Sequence, residues 1–429
     1  MAALPVIAVF DVGKTNKKLF LFDSQYRIVE EITARFTETT DEDGFPCDNL
    51  ESFRQSITEN LSLLAARTDI DLRVVNFTTY GASMVYIDEN GDPLTPLYNY
   101  LKPYPEALAE GLYERYGGKD EFSRSTASPA MGNLNSGLQL YRIKIQQPEI
   151  FRRIRYALHL PQYLHYLVAG SAFSDLTSIG CHTALWDMEL QDYHTWVREE
   201  QLDSKLAPVC HSSHAIPCRI GDKAVMVGVG LHDSSAALIP YLRSFSDPFV
   251  LLSTGTWGIT LNPFNQSPLT LGELESDCLF YLSYKGLPVK ASRYFTGREL
   301  EQRSAGIAEK YKVSVHSLHQ LPFDGHWRNA GEDSVIKAYH QLMQEIVDQQ
   351  AEAMRLVIPP GDDLRIYIDG GFSRNEPFLR LLAGAFPRNY IAVAEMAQAT
   401  SLGAALVMHD HWNGGELPAD LVKLHDIRI

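Results

Sequence analysis

The feature that most constrains this chain occurs twice: an apolar run that ends in a small, polar, glycine-containing turn and then resumes as a second apolar run. Residues 5–10 lead into Asp11, Val12, Gly13, Lys14, Thr15, Asn16 and Lys17, and residues 19–22 are apolar again. Residues 249–252 lead into Ser253, Thr254, Gly255, Thr256 and Trp257, then into residues 258–262. Short apolar runs bounded by turn signals read as buried strands, so each stretch predicts strand, tight turn, strand. Two halves opening the same way suggest an internal duplication.

Helical patterns fill the space between the strands. Residues 50–66 place Phe53, Ile57, Leu61, Leu64 and Ala65 on one face, and residues 334–357 do the same with Ile336, Tyr339, Leu342, Met343, Ile346 and Val347. Apolar residues at this spacing make an amphipathic helix whose stripe belongs to the core. Strands alternating with helices predict an α/β protein. A chain of 429 residues exceeds what one core supports, which predicts two domains. Proline, glycine and charge concentrate around Pro217 to Lys223, so the boundary is expected at 220/221, giving domains 1–220 and 221–429.

A net charge of −15 disfavours nucleic acid or an anionic membrane as the main partner, because each would be repelled on average. The five cysteines show no CxxC spacing, so neither a disulfide framework nor a zinc site is expected from their pattern. Residues 1–10 lack a basic leader, and no apolar run approaches the ~18 residues that span a bilayer, so a cytoplasmic protein is expected.

Glycine turns can hold phosphates, since the backbone approaches closely and amide N–H groups face the anion. Residues 11–17, 253–257 and 369–373 qualify, the last containing Asp369, Gly370, Gly371 and Phe372. There is no GxxxxGK[ST] signature, which argues against a P-loop. Asp11 and Asp233 each end an apolar run, the position where an open α/β sheet binds ligands. One could hold Mg²⁺ and the other accept a proton, although Asp233 also suits a helix N-cap before Ser234, Ser235 and Ala236.

In order along the chain, these motifs resemble those of the FGGY carbohydrate kinases, members of the sugar kinase, Hsp70 and actin superfamily. Residues 11–16 are similar to that family's first phosphate hairpin, 253–257 to its second, 368–375 to its adenosine motif and 398–405 to its closing signature. Residues 159–164 and 174–178 resemble a segment of its N-terminal domain. The resemblance implies two actin-like (ribonuclease H-like) domains with a catalytic cleft between them, ATP and a small sugar as ligands, Mg²⁺ as cofactor, and allows a homodimer. It implies Asp233 as catalytic base and, with Asp11, as the metal-side carboxylates. Gly13, Lys14, Thr15, Asn16, Thr254, Gly255, Thr256, Gly370, Gly371 and Asn375 would surround the nucleotide.

Tyr80, Gly81 and Ala82, with the pair His232 and Asp233, resemble the rhamnulose kinase branch, which implies a ketose acceptor such as L-rhamnulose or L-fuculose, with pentuloses as the alternative. An actin-like ATP switch or a silent sugar sensor is the rival from another class. Three residues depart from the family pattern: Tyr80 replaces a Trp, Lys14 stands where a small or hydroxyl residue is common, and Lys102 lies near where many members carry a sugar-contacting Arg.

Overall fold

The computed structural model describes residues 3–14, 17–34, 36–331, 333–396 and 398–427. Each half is built on a sheet with the same nucleus. In the first, strand Leu4–Val12 pairs antiparallel with Lys17–Phe22 and parallel with Ile70–Thr79. In the second, Phe249–Thr254 pairs antiparallel with Gly258–Asn262 and parallel with Arg365–Gly370. Strand, turn and strand recur in both, as the duplicated sequence pattern predicts, and each half adds a parallel third strand. The architecture is the two-domain, mixed α/β, actin-like fold.

The sheets depart from the expected boundary. Strands Ala215–Ile220 and Lys223–Gly228 form a hairpin on the edge of the first sheet, and Leu231–His232 pairs with the end of Ile70–Thr79. The change of domain therefore falls after His232 rather than at 220/221. Pro217 and Gly221, which suggested a linker, have local reasons: proline is tolerated on an edge strand, and Gly221 adopts φ +58° in the hairpin turn.

Helices Leu50–Ala66 and Leu160–Ala169 cover one face of the first sheet, where Phe53, Ile57 and Leu164 join Phe10 and Phe77 in one cluster. Asp233–Ser244 and Ala399–Leu406 cover the other face. The Asp233–Ser244 helix also turns Leu238 and Tyr241 to the second sheet, against Phe249, Leu251 and Tyr367. It is thus packed between the two sheets. Gly403 allows Ala399–Leu406 to lie against it, because a Cβ there would come 1.9 Å from the Ala236 carbonyl oxygen. Among the described residues, no helix is long and apolar enough to cross a membrane.

Candidate active site

The two strand ends singled out in the sequence open on one cavity of about 500 Å³ between the sheets. Asp11, Gly13 and Lys14 line it from the first hairpin, and Thr254, Gly255, Thr256 and Trp257 from the second. Tyr80, Gly81, Ala82, His232 and Asp233 complete the wall nearest the first sheet. Thr15 and Asn16, expected beside phosphate, lie outside the described residues.

Each acidic residue commits one oxygen and leaves the other. Asp11 Oδ2 accepts hydrogen bonds from the hydroxyls of Thr400 and Ser401, and Oδ1 takes none among the described residues. Asp233 opens its helix rather than capping it. Its Oδ1 accepts the Ser234 backbone N–H at 2.6 Å, while Oδ2 has no partner among the described residues. Burial pushes both carboxyls up to about 6, against the hydroxyl bonds at Asp11 and the Ser234 bonds at Asp233. The Asp233 side chain nevertheless keeps 28% of its surface open, so it is desolvated yet reachable. The helix N-terminus favours its ionised form.

His232 is buried with Nε2 3.2 Å from Asp233 Oδ1 and 3.0 Å from Cys181 Sγ. Burial, helped by the nearby Arg293, pulls its pKa down to about 3, so the imidazole is neutral. Its backbone N–H donates to the Thr177 hydroxyl at 3.0 Å, and Thr177 in turn hydrogen-bonds Asp175. This explains residues 174–178: they hold the strand end from which His232 and Asp233 project.

Gly81 is set by the same imidazole. A Cβ there would meet Cys181 Sγ at 2.8 Å and the His232 ring at 3.0 Å, and Ala82 beside it takes φ +57°. Tyr80 donates to Asp48 Oδ2 at 2.6 Å. Lys14 lines the cavity, but its ammonium sits 3.0 Å from Asp48 and 5.2 Å over the Tyr80 ring. Lys102 is buried against Asp41 and Asp43, each at 2.6 Å, and does not line the cavity.

The third glycine turn stands behind the second. Gly370 has φ +82°, and a Cβ there would approach the Thr254 carbonyl oxygen to 1.9 Å. Thr254 Oγ1 donates to the Asp369 carbonyl and accepts the Phe372 N–H at 3.0 Å. Gly370 and Gly371 are exposed outside the cavity lining. Asn375 caps the helix Glu376–Ala385 by accepting the Phe378 N–H at 3.0 Å and donates to the Tyr339 hydroxyl at 3.1 Å. These residues brace the 253–257 turn and the helix beyond it.

Sequence reasoning missed several wall residues. Tyr281 and Arg293 come from neighbouring strands of the second sheet, and His182 from the loop after Leu176–Ile179. Arg293 is bound to Asp277, with Nη2 2.5 Å from its carboxylate. None of them stands in a glycine turn, and only the adjacency of Cys181 and His182 gave any signal. Thr400 was noticed within a signature, without its bond to Asp11.

A carboxylate from the first sheet, another from the helix between the sheets, and a hydroxyl-rich turn from the second sheet together define a two-domain, actin-like cleft protein. Residues 6–239 match the N-terminal domain of the FGGY family of carbohydrate kinases, and residues 246–321 match its C-terminal domain. The chain belongs to that family.

Among curated relatives, it is 24% identical over 271 residues to a rhamnulokinase of Yersinia pestis bv. Antiqua (strain Angola), covering 59% of this chain and 53% of the relative. A rhamnulokinase of Halalkalibacterium halodurans is 23% identical over 260 residues, covering 58% of this chain and 54% of the relative. The chain thus spans about half the length of these curated relatives. Among solved structures, a carbohydrate kinase from Novosphingobium aromaticivorans superimposes with a TM-score of 0.76 at 23% identity, covering 99% of this chain and 94% of that one. A ligand-bound xylulose kinase from Lactobacillus acidophilus gives 0.82 at 14%, covering 99% and 93%. A Plasmodium falciparum glycerol kinase with ADP gives 0.70 at 15%, covering 96% and 90%. At these identities the likeness is one of fold.

Proposed function

We propose that this protein transfers the γ-phosphoryl group of ATP to a hydroxyl of a small ketose, of the 6-deoxyketohexose class such as L-rhamnulose or L-fuculose. The observation that carries the reading is the convergence of Asp233, Asp11 and the 253–257 turn on one cavity, each carboxylate keeping an oxygen uncommitted. The neutral His232 at the base, and relatives that are rhamnulokinases, favour the ketose class.

In the reaction, the acceptor hydroxyl oxygen bonds to the γ-phosphorus as the bond from phosphorus to the β,γ-bridging oxygen breaks. ADP leaves, and the hydroxyl proton passes to Asp233. Such transition states are loose, so Asp233 mainly orients the hydroxyl and takes its proton late. Amide N–H groups of the 253–257 turn would face the phosphates, and the side of Gly255 where a Cβ would stand is open, which leaves room for them. The donor set fits Mg²⁺, a hard ion that keeps much of its water and takes one or two carboxylates; Asp11 and Asp233 would hold it. Bound there, it would offset charge on the phosphate oxygens. His232 would donate to or accept from a sugar hydroxyl, with Gly81 and Ala82 forming the floor beneath it.

A coupled assay of ADP release over ketoses, aldoses and polyols tests this reading. Turnover that depends on a 6-deoxyketohexose is expected. Preference for xylulose or ribulose would move the acceptor to the pentulose class. ADP release that ignores every acceptor would replace the kinase reading with that of an ATP switch, and sugar binding without turnover with that of a sensor.

A further inference from the structure

We propose that Cys181, His182 and His232 form a binding site for one thiophilic divalent cation of the Zn²⁺ class, at the sugar end of the cavity. Their ligand atoms all lie within 4.8 Å of one another, and all three residues are buried. Cys181 Sγ and His232 Nε2 are 3.0 Å apart. A tetrahedral ion with Zn–S near 2.3 Å and Zn–N near 2.0 Å sets sulfur and nitrogen roughly 3.5 Å apart, so Cys181 and His232 would part by about half an ångström and His182 would close by at most about 1.3 Å to seat it.

The surroundings support the set. His182 Nδ1 lies 2.8 Å from the Leu134 carbonyl oxygen, and donation there leaves Nε2 as the ring's lone-pair atom. A ring held by its other nitrogen to a carbonyl is the usual outer support of a metal-binding histidine. His182 and His232 line the cavity, which gives an ion a route in. The nearest cation, Arg293, is paired with Asp277, and Asp233 Oδ1 stands 3.2 Å from the His232 nitrogen. Three protein ligands leave a fourth position for water. On binding, the Cys181 S–H ionises, its proton goes to bulk water, and an S–metal bond replaces one metal–water bond.

The ion would take the His232 nitrogen that faces Asp233 and fill the sugar end of the cleft. On the kinase reading above, on which this consequence alone rests, micromolar Zn²⁺ would inhibit turnover while Mg²⁺ would not relieve it, since hard cations prefer oxygen donors.

The test is titration of the full chain with Co²⁺ alone, followed by absorbance. One equivalent is expected to give a near-ultraviolet thiolate-to-cobalt charge-transfer band, which stoichiometric Zn²⁺ bleaches. Cys181→Ser should abolish the band and weaken Co²⁺ binding more than about 100-fold, and His182→Gln should weaken it at least about 10-fold. Circular dichroism establishes that each variant is folded, and having two variants keeps the test open if one is not. Absence of the band in the wild-type chain, or its persistence in Cys181→Ser through another cysteine, would overturn the site. The spectrum is read without sugar or ATP, so its failure is separate from failure of the kinase reading. If turnover is found, its inhibition by Zn²⁺ should follow the Co²⁺ affinity and lessen in Cys181→Ser relative to that variant's own rate.

Discussion

Asp233 does two things that oppose each other: it is held in a protein-lined cleft that disfavours its charge, and the proposed chemistry needs that charge. Its pKa near 6 sets the expected pH dependence. The carboxylate is ionised above that value. Asp11, the other carboxylate the proposed reaction needs ionised, also lies near 6, so kcat/KM should be flat at neutral pH and fall by up to about a hundredfold per unit well below 6, with His232 neutral throughout. Asp233→Asn should lower kcat by ~10²–10⁴ and leave the affinity for ATP measured without Mg²⁺ nearly unchanged. Near-normal turnover in that variant would remove Asp233 as the base. Stability should move the other way. A folded pKa above the unfolded 3.8 means that the charged form costs stability at pH 7, and that this cost vanishes as pH falls below 4. Asp233→Asn should therefore stabilise the fold at pH 7.5 by on the order of 1 kcal/mol and by almost nothing at pH 3.5, a difference that urea melts at the two pH values would read. A second residue-scale expectation concerns Gly81, where an added Cβ meets the Cys181 sulfur at 2.8 Å and the His232 ring at 3.0 Å. Gly81→Ala should raise the sugar KM several-fold through the displaced imidazole while leaving the ATP KM alone; equal changes in both would contradict the placement of His232 on the sugar side.

At the scale of elements, the site depends on how closely two helices approach. The helix Ala399–Leu406 carries the hydroxyls that hold Asp11, and it crosses the helix that begins with Asp233 at Gly403. Gly403→Ala puts a methyl group 1.9 Å from the Ala236 carbonyl, which backbone must move to relieve. Destabilisation of ~1–3 kcal/mol in urea melts is expected, together with lost turnover, because both carboxylates ride on the contact. Gly306 lies inside the helix Thr296–Tyr311 with open space around it, so Gly306→Ala should instead stabilise by about 0.5–1 kcal/mol. The sequence announced the elements well where a signal was local. The run before Asp11, the hairpin around Gly255 and the helix over residues 50–66 all form as their periodicity predicts. It failed where meaning came from a neighbour far along the chain. Pro217 and Gly221 looked like a linker because nothing in residues 215–228 reveals that Met226 and Val227, across the hairpin, pair with Val74 and Val75 of Ile70–Thr79. At Gly370 and Asn375 nothing in the sequence signalled the structural roles they also carry, against the backbone of Thr254 and at the Phe378 N–H. Tyr281, Arg293 and His182 reach the cavity only through sheet pairing and packing, which no short window encodes.

For the whole molecule, the cavity wall is divided between two sheets, so its width depends on their relative orientation. In the proposed transfer, water must be kept from the γ-phosphate, and closing the cleft is the available means. A smaller radius of gyration is expected by small-angle scattering with saturating sugar and a nonhydrolysable nucleotide; an unchanged value would argue against closure. The helix Asp233–Ser244 lies where such a motion would pivot, with Ala236 and Ile239 in the core of the first sheet and Leu238 and Tyr241 in that of the second. On the proposed reaction, a base mounted at that pivot would travel little while the 253–257 turn swung through a longer arc. That has a consequence for how such a chain can diversify. On that reading, changes in the walls of the first half would retune which acceptor is chosen, and changes in the second half would retune the nucleotide, each without resetting the reacting oxygen. The shared helix is the segment that both kinds of change must leave in place.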